Sequence, residues 1–447
     1  MIITNAVVIT WDNAQPILYN HDVVISEGKI VEIAPHAEIA AKHAGERFFD
    51  GCGKVLMPGL ICAHTHFYGL FSRGLAIPGD PPRNFSQILE KLWWPLDSSL
   101  GIADVQSCAL VCLVDAIKHG TTTLFDHHAS PMCINGSLDQ IGQAFVETGV
   151  RGSVCYEATD RYGLQLRDES ISENLRMIQK LRSKSKDLLE ATFGIHASLT
   201  VSDATLGKIK DALPENTGVH IHVAEDLVDQ QDSLQKYNKR VVERLNDFGL
   251  LGQDSILVHG VHLNNHEMKL IQETNTWLTH QPRSNMNNAV GMADVEKMVA
   301  MGIKVCLGND GFSNAMWDEW RTCYLVHKLT HKDPTRMNGN LVVQIAAQNN
   351  AELASHFFHG KKIGRIMAGY QADLILVDYM PITELNQYNI PWHILFGFRD
   401  SMVTDTMVNG KWLMNNRKLN HLDEVEILQK ALKLSRDVWK RYGSKFN

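Results

Sequence analysis

The chain is 447 residues long, with 44% hydrophobic and 21% charged side chains, the balance of a globular protein large enough for one big barrel with an appended part. Its 43 basic and 50 acidic residues leave a net charge of −7, and no run of Lys or Arg forms a stripe that would bind nucleic acid. No apolar stretch reaches the ~18 residues of a membrane span, and "MIITNAVVITWDNAQP" at the start lacks the basic and apolar regions of a signal peptide, so a cytoplasmic protein with no membrane partner is expected.

Residues 1–57 read as short strands. "DVVISEGKIVEIA" is strand, Gly-containing turn, strand. Eight apolar or β-branched runs follow: "GLICAHTHF", "TTTLFDHH", "RGSVCYEA", "ATFGIHAS", "GVHIHVAE", "SILVHGVH", "TWLTHQP" and "IKVCLGND". Helix-period stretches such as "SLDQIGQAFVETG" and "VVERLNDFGL" separate them. Eight buried strands alternating with helices predict an α/β fold, a (β/α)8 TIM barrel, over residues 58–365. A doubly wound open sheet is the alternative. No Gly-x-Gly-x-x-Gly follows any strand, so its dinucleotide-binding version has no support. From about residue 366 strand signals return, and Asn409-Gly410 in "TDTMVNGKWLMNNRKL" marks a hairpin. An amphipathic helix closes the chain, from about Leu422 to Trp439. The eight cysteines include no Cys-x-x-Cys pair. They read as free buried thiols rather than disulfides or a thiolate metal site.

Nearly all eight runs end in a polar residue, and the C-terminal strand ends of such a barrel form its active-site face. His64 and His66 end the first run. On a strand they share a face, with Cα atoms roughly 6–7 Å apart, so both imidazoles can converge on one ion. In "HIHVAED", His222 lies nearer the strand end than His220, which reads as a packing residue, and Glu225 follows three residues on. A third histidine with a nearby carboxylate suits a hydrolytic metal site. Asp310 ends the eighth run and can complete the set, although Asp-Gly is also a common turn. His259 ends the sixth run and is a candidate for polarising a substrate atom. His127 and His128 end the second run, Glu157, Asp160 and Arg161 follow the third, and Arg283, Asn285 and Asn288 follow the seventh. These residues are candidates for substrate contact or for supporting work. Trp93 and Trp94, in the long first loop, can stack on a flat heterocycle or pack that loop down.

Taken together, Met57-Pro58-Gly59-Leu60 before His64-x-His66, then "HVAE", "VHGVHL", Ser284-Asn285, "LGND" and "GYQADLILVD" resemble the amidohydrolase superfamily. The similar branch is the metal-dependent aminohydrolases, which include guanine deaminase, adenosine-type deaminases and the triazine hydrolases. "KLWWPLD", "DHHASP", "ATDR" and "RSNMNNAVG" look most like a subgroup associated with purine metabolism.

The resemblance implies that His64, His66, His222 and Asp310 bind one divalent metal ion per chain, zinc or else ferrous iron. It makes Glu225 the proton shuttle, with His259 and Asp310 assisting catalysis. His196 on the fourth strand and His259 would reach the substrate. Arg283, Asn285, Trp94 and His127 are added as candidate substrate contacts. It also implies a small β-sandwich built from residues 1–57 and 366–447; a homo-oligomer, as a dimer, is expected besides. The family usually has Thr where this chain has Asn309. Other branches carry a bridging carboxylated lysine on the fourth strand, which "TFGIHAS" lacks, so a mononuclear site is expected. The expected reaction is hydrolysis of a non-peptide C–N bond in a planar nitrogen heterocycle, as deamination of a purine-like or pterin-like substrate. Ring opening of a cyclic amide is the alternative, and a non-catalytic barrel scaffold a more distant one.

Overall fold

The computed structural model describes residues 1–183 and 188–446. All eight apolar runs form parallel strands: Leu60–Thr65, Thr121–His128, Arg151–Tyr156, Phe193–Ala197, Val219–Val223, Ile256–His259, Trp277–His280 and Val305–Leu307. The first three lie in one parallel sheet, extended by Leu189–Ala191, and the last five in another. Two seams of hydrogen bonds join these sheets. At one, Asn309 N donates to His64 O (3.0 Å) and His66 N to Asp310 O (2.5 Å). At the other, Ala158 N donates to Gly194 O and His196 N to Ala158 O, both 3.1 Å. A glycine sits at each seam because the backbones come too close for a side chain. A Cβ on Gly194 would lie 2.4 Å from Tyr156 O, and one on Gly308 would lie 2.7 Å from His64 O.

The chain ends meet in a seven-stranded sheet. Val55–Pro58 pairs antiparallel with Leu374–Val377 and parallel with Val7–Ile9. Strand alternation gives this sheet two apolar faces. Leu56, Leu374 and Leu376 join Ile3, Val23, Ile25 and Ile30 from a separate four-stranded sheet in one buried cluster. Val55, Met57, Ile375 and Val377 face the other way, into the main core. The Asn409-Gly410 hairpin forms between Val403–Val408 and Lys411–Asn415, with φ of 49° and 73° at its two turn residues.

The closing helix, Glu424–Gly443, packs on the middle of the chain rather than on a sheet. Lys118 pairs with Glu424, Arg441 with Asp104, and Trp439 Nε1 donates to Phe71 O. Tyr442 OH donates to Lys91 O, in the long first loop. The helix therefore braces the loop that carries Trp93 and Trp94. Among the described residues, no single helix is long and apolar enough to cross a membrane.

A buried ion pair welds the terminal sheet to the middle of the chain. Arg151 Nε donates to Asp373 Oδ2 (2.8 Å), and both side chains are at most 1% exposed. Asp373 Oδ1 also accepts from Asn409 N (2.7 Å). Replacing Asp373 with Ala removes the carboxylate that pairs with this buried guanidinium and accepts from the Asn409 amide, so unfolding in urea should show a loss of about 3–5 kcal/mol. A loss under about 1 kcal/mol would mean that the weld is unimportant.

Candidate active site

His64 is the last but one residue of the first strand, and His66 follows in extended conformation (φ −125°, ψ 101°), so the two rings share one face. Each ring of the expected histidine set is held by its Nδ1. His64 Nδ1 meets His220 Nε2 at 3.0 Å, His66 Nδ1 donates to His127 O (2.5 Å), and His222 Nδ1 donates to His196 O (2.7 Å). Every Nε2 is thereby aimed at one point. His66 Nε2 lies 3.2 Å from His64 Nε2, 3.1 Å from His222 Nε2 and 3.0 Å from Asp310 Oδ1. Ser284 Oγ fixes the other Asp310 oxygen at 2.5 Å.

This donor set fits a divalent metal. Four ligands about 2.0–2.1 Å from a tetrahedral ion lie ~3.3 Å from one another. Burial keeps His64 (down to about 3) and His222 (well below its usual range) without a proton, as ligands must be. Burial also opposes charge on His66, yet Asp310 overrides it and raises that ring to about 9. Asp310 itself is driven towards neutrality by burial, but hydrogen bonds from His64 and His66 hold it well below the carboxylate range.

Glu225 stands beside this point. One ligand atom each of Glu225, His259 and Asp310 lie within 4.8 Å of one another. Burial, and after it the charge of Asp310, pushes the Glu225 carboxyl well above its ordinary pKa. Its Oε1 accepts from Asn288 Nδ2 (3.1 Å), and its Oε2 lies 3.4 Å from His259 Nε2. Asn285 Nδ2 donates to His259 Nδ1 (2.9 Å), which leaves the His259 proton on Nε2, towards Glu225. Three strand ends here adopt the left-handed backbone that non-glycine residues avoid: Ala224 (φ 49°), His259 (φ 73°) and Asp310 (φ 61°). Such strain clusters where side chains must be aimed.

A cleft opens above these groups, with about 720 Å³ of empty space including its mouth. His196, His259 and Trp94 line it. Arg283, Asn285 and His127 do not. Arg283 is drawn away by Glu319 (2.5 Å), Asn285 is spent on His259, and His127 lies beneath the floor between Glu157 and His220 O. These three support the site from outside the cleft. His220 lies outside the convergent set, but it is the partner that orients His64.

The cleft wall also holds residues that the sequence left unassigned or unnoticed. Glu157 and Arg161 reach it from the third strand end, and Tyr68, Phe85, Leu89 and Asp97 from the first loop. Asp97 pairs with Arg161 (3.1 Å), and its burial raises the carboxyl to about 6. A π-helical turn at Leu89–Trp93 brings both tryptophans to the wall. Asn309, in place of the usual Thr, points away from the ligands, donating to Asn314 Oδ1 (2.9 Å).

Comparison with known proteins agrees with this geometry. The chain is 30% identical over 449 residues to 5'-deoxyadenosine deaminase of Methanosarcina mazei, covering 99% of each chain. It is 31% identical over 400 residues to 5-methylthioadenosine/S-adenosylhomocysteine deaminase of Syntrophomonas wolfei, covering 88% of this chain and 89% of that one. Its fold matches the zinc-bound crystal structure of an adenosine deaminase from Xanthomonas campestris, with a TM-score of 0.86, 24% identity and 98% of each chain covered. The model of the Amidohydrolase family matches residues 55–413. With that match and relatives similar along nearly its whole length, the chain belongs to the amidohydrolase family, as a metal-dependent hydrolase of C–N bonds in cyclic substrates.

Proposed function

We propose that the protein deaminates an adenosine-like nucleoside, releasing ammonia, with one divalent metal, zinc by preference, held by His64, His66, His222 and Asp310. The observation that carries this reading is the placement of Glu225 between His259 and Asp310, beside four convergent donor atoms on a cleft floor. Whole-length relatives named for deaminating adenine nucleosides support the substrate class. Three nitrogens and one oxygen suit zinc and also ferrous iron.

A bound cation supplies Lewis acidity, which brings a water proton within reach of a carboxylate near neutral pH. The chain's own residues do the rest. Glu225 accepts the proton of the attacking water and delivers it to the departing nitrogen. The His259 Nε2–H, oriented by Asn285, donates to the substrate where negative charge develops. His196, whose Nδ1 is held by Thr200 Oγ1 (2.8 Å), offers Nε2 to the ring edge. Trp94 offers an aromatic wall for the base.

The architecture that holds the site is, in our reading, one closed (β/α)8 barrel over residues 58–365. The seam bonds at His64–Asp310 and Ala158–Gly194 support closure. Residues 1–57 and 366–447 supply a composite β-sandwich, supported by the apolar cluster shared between the two terminal sheets.

The test is incubation of zinc-loaded protein with adenosine, 5'-deoxyadenosine, 5-methylthioadenosine, guanine and a pterin, with ammonia and product mass measured together. Deamination releases ammonia and raises product mass by about one unit, whereas ring opening adds a whole water and releases none. A ring-opened product without ammonia would overturn the deaminase reading.

A further inference from the structure

A second group of metal-type donors is buried outside the cleft, between the seventh strand and the helix Met316–His331. His280 ends that strand. Cys323 and His327 stand one turn apart on the helix and so share a face. All three are 0% exposed, and none lines the cleft. One ligand atom from each lies within 4.8 Å of the other two. The rings of His280 and His327 are 5.5 Å apart and inclined at 69°.

The hydrogen-bond state of these rings is what marks the cluster. Both nitrogens of His280 and both nitrogens of His327 are buried, and none has a hydrogen-bond partner. Buried polar atoms in proteins are almost always paired, and four unpaired ring nitrogens beside one thiol are a donor set without an acceptor. Burial keeps both rings neutral, His280 well below its usual range and His327 down to about 4, so their lone pairs are free at neutral pH.

We propose that His280, Cys323 and His327 bind one borderline-soft d10 cation of the zinc class, at a structural site separate from the cleft. Two imidazoles and a sulfur suit such an ion, and a solvent molecule completes four-coordination. Binding forms a metal–sulfur bond and releases the thiol proton to solvent. His327 also groups within 4.8 Å of the half-buried Glu296 and the exposed His331, so donor atoms continue from the cluster towards the surface. The bound ion ties His280 to the helix. The segment that follows directly is Pro282–Asn287, which carries Ser284 and Asn285 to Asp310 and His259. The second ion thus steadies the turn that aims two cleft residues. The sequence led to an expectation of one metal ion per chain, in the cleft, and this second ion departs from it.

The experiment loads the full chain with zinc, removes loose metal by gel filtration and measures zinc by mass spectrometry. About two ions per chain are expected in wild type and about one in each of Cys323→Ser and His66→Ala, from opposite sites. A parallel loading with cobalt(II) reads the sulfur directly. Wild type and His66→Ala should show a sulfur-to-cobalt charge-transfer band that Cys323→Ser lacks, since no residue of the cleft set is a cysteine. If Cys323→Ser does not fold, the band in the other two proteins decides. One zinc per wild-type chain with no thiolate band would overturn the proposal and leave water as the partner of these rings. Loss of the cleft metal alone, in His66→Ala, bears on the deaminase reading and not on this site.

Discussion

Glu225→Gln should lower kcat by about 10²–10⁴, the usual contribution of a positioned proton-transfer group, while fold and metal content stay as in wild type. The substitution isolates the proton. Glutamine is nearly isosteric with glutamate, and its carbonyl oxygen can still accept from Asn288 Nδ2, which now lies 3.1 Å from Glu225 Oε1. The chain of contacts through Asn288 and Ser284 to Asp310 is kept. What disappears is an oxygen able to take a proton from water and hand it to a leaving nitrogen. Circular dichroism and metal analysis check the first half of the expectation, and ammonia release on the best substrate of the panel checks the second. Wild-type kcat in this variant would remove Glu225 from the chemistry.

His66→Ala should empty the cleft of its metal and reduce turnover at least as far as Glu225→Gln. His66 is the hub of the donor set, since its Nε2 lies within 3.2 Å of His64 Nε2, His222 Nε2 and Asp310 Oδ1. Losing a hydrogen-bond partner of a ligand typically costs 10–100-fold in metal affinity, and losing a ligand should exceed about that range. The three remaining donors, His64, His222 and Asp310, fall one short of the tetrahedral set. Zinc titration against a competing chelator measures the affinity. Full occupancy of the cleft in this variant would contradict the assignment.

Much of this arrangement is local and therefore legible. The eight inner strands are apolar runs of three to eight residues, and periodicity names such runs without knowledge of their neighbours. The hairpin at Asn409-Gly410 is equally local, because two positive φ angles in succession favour Asn and Gly. His64 and His66 share a face because strand geometry makes i and i+2 do so. Their partners could be proposed only from the order of motifs along the chain, which the resemblance to a family supplied.

The sequence by itself determined which segments form the eight inner strands, about where they end, and that histidines and carboxylates gather at those ends, though it read residues 1–57 as strands alone and missed the helix His36–Lys42 there. These are properties of spacing and residue type. Tertiary structure alone decided how each polar side chain spends its hydrogen bonds. Arg283 could equally have met a substrate until Glu319, 36 residues on, claimed it. Asn285 and His127 were likewise taken by His259 and by His220 O, and Trp93 and Trp94 reached the cleft wall through a π-helical turn that no periodicity announces. The closing helix was legible as a helix, but its seat on the first loop rests on Glu424, Trp439, Arg441 and Tyr442 finding partners more than 300 residues away. Cys323 and His327 stand at helical spacing that the sequence displays, yet their significance depends on His280, some 40 residues earlier, arriving beside them from a strand. A side chain has few donors and acceptors, and burial forces each to choose one partner among many. That choice is made by the fold, because only the fold brings the competitors within reach.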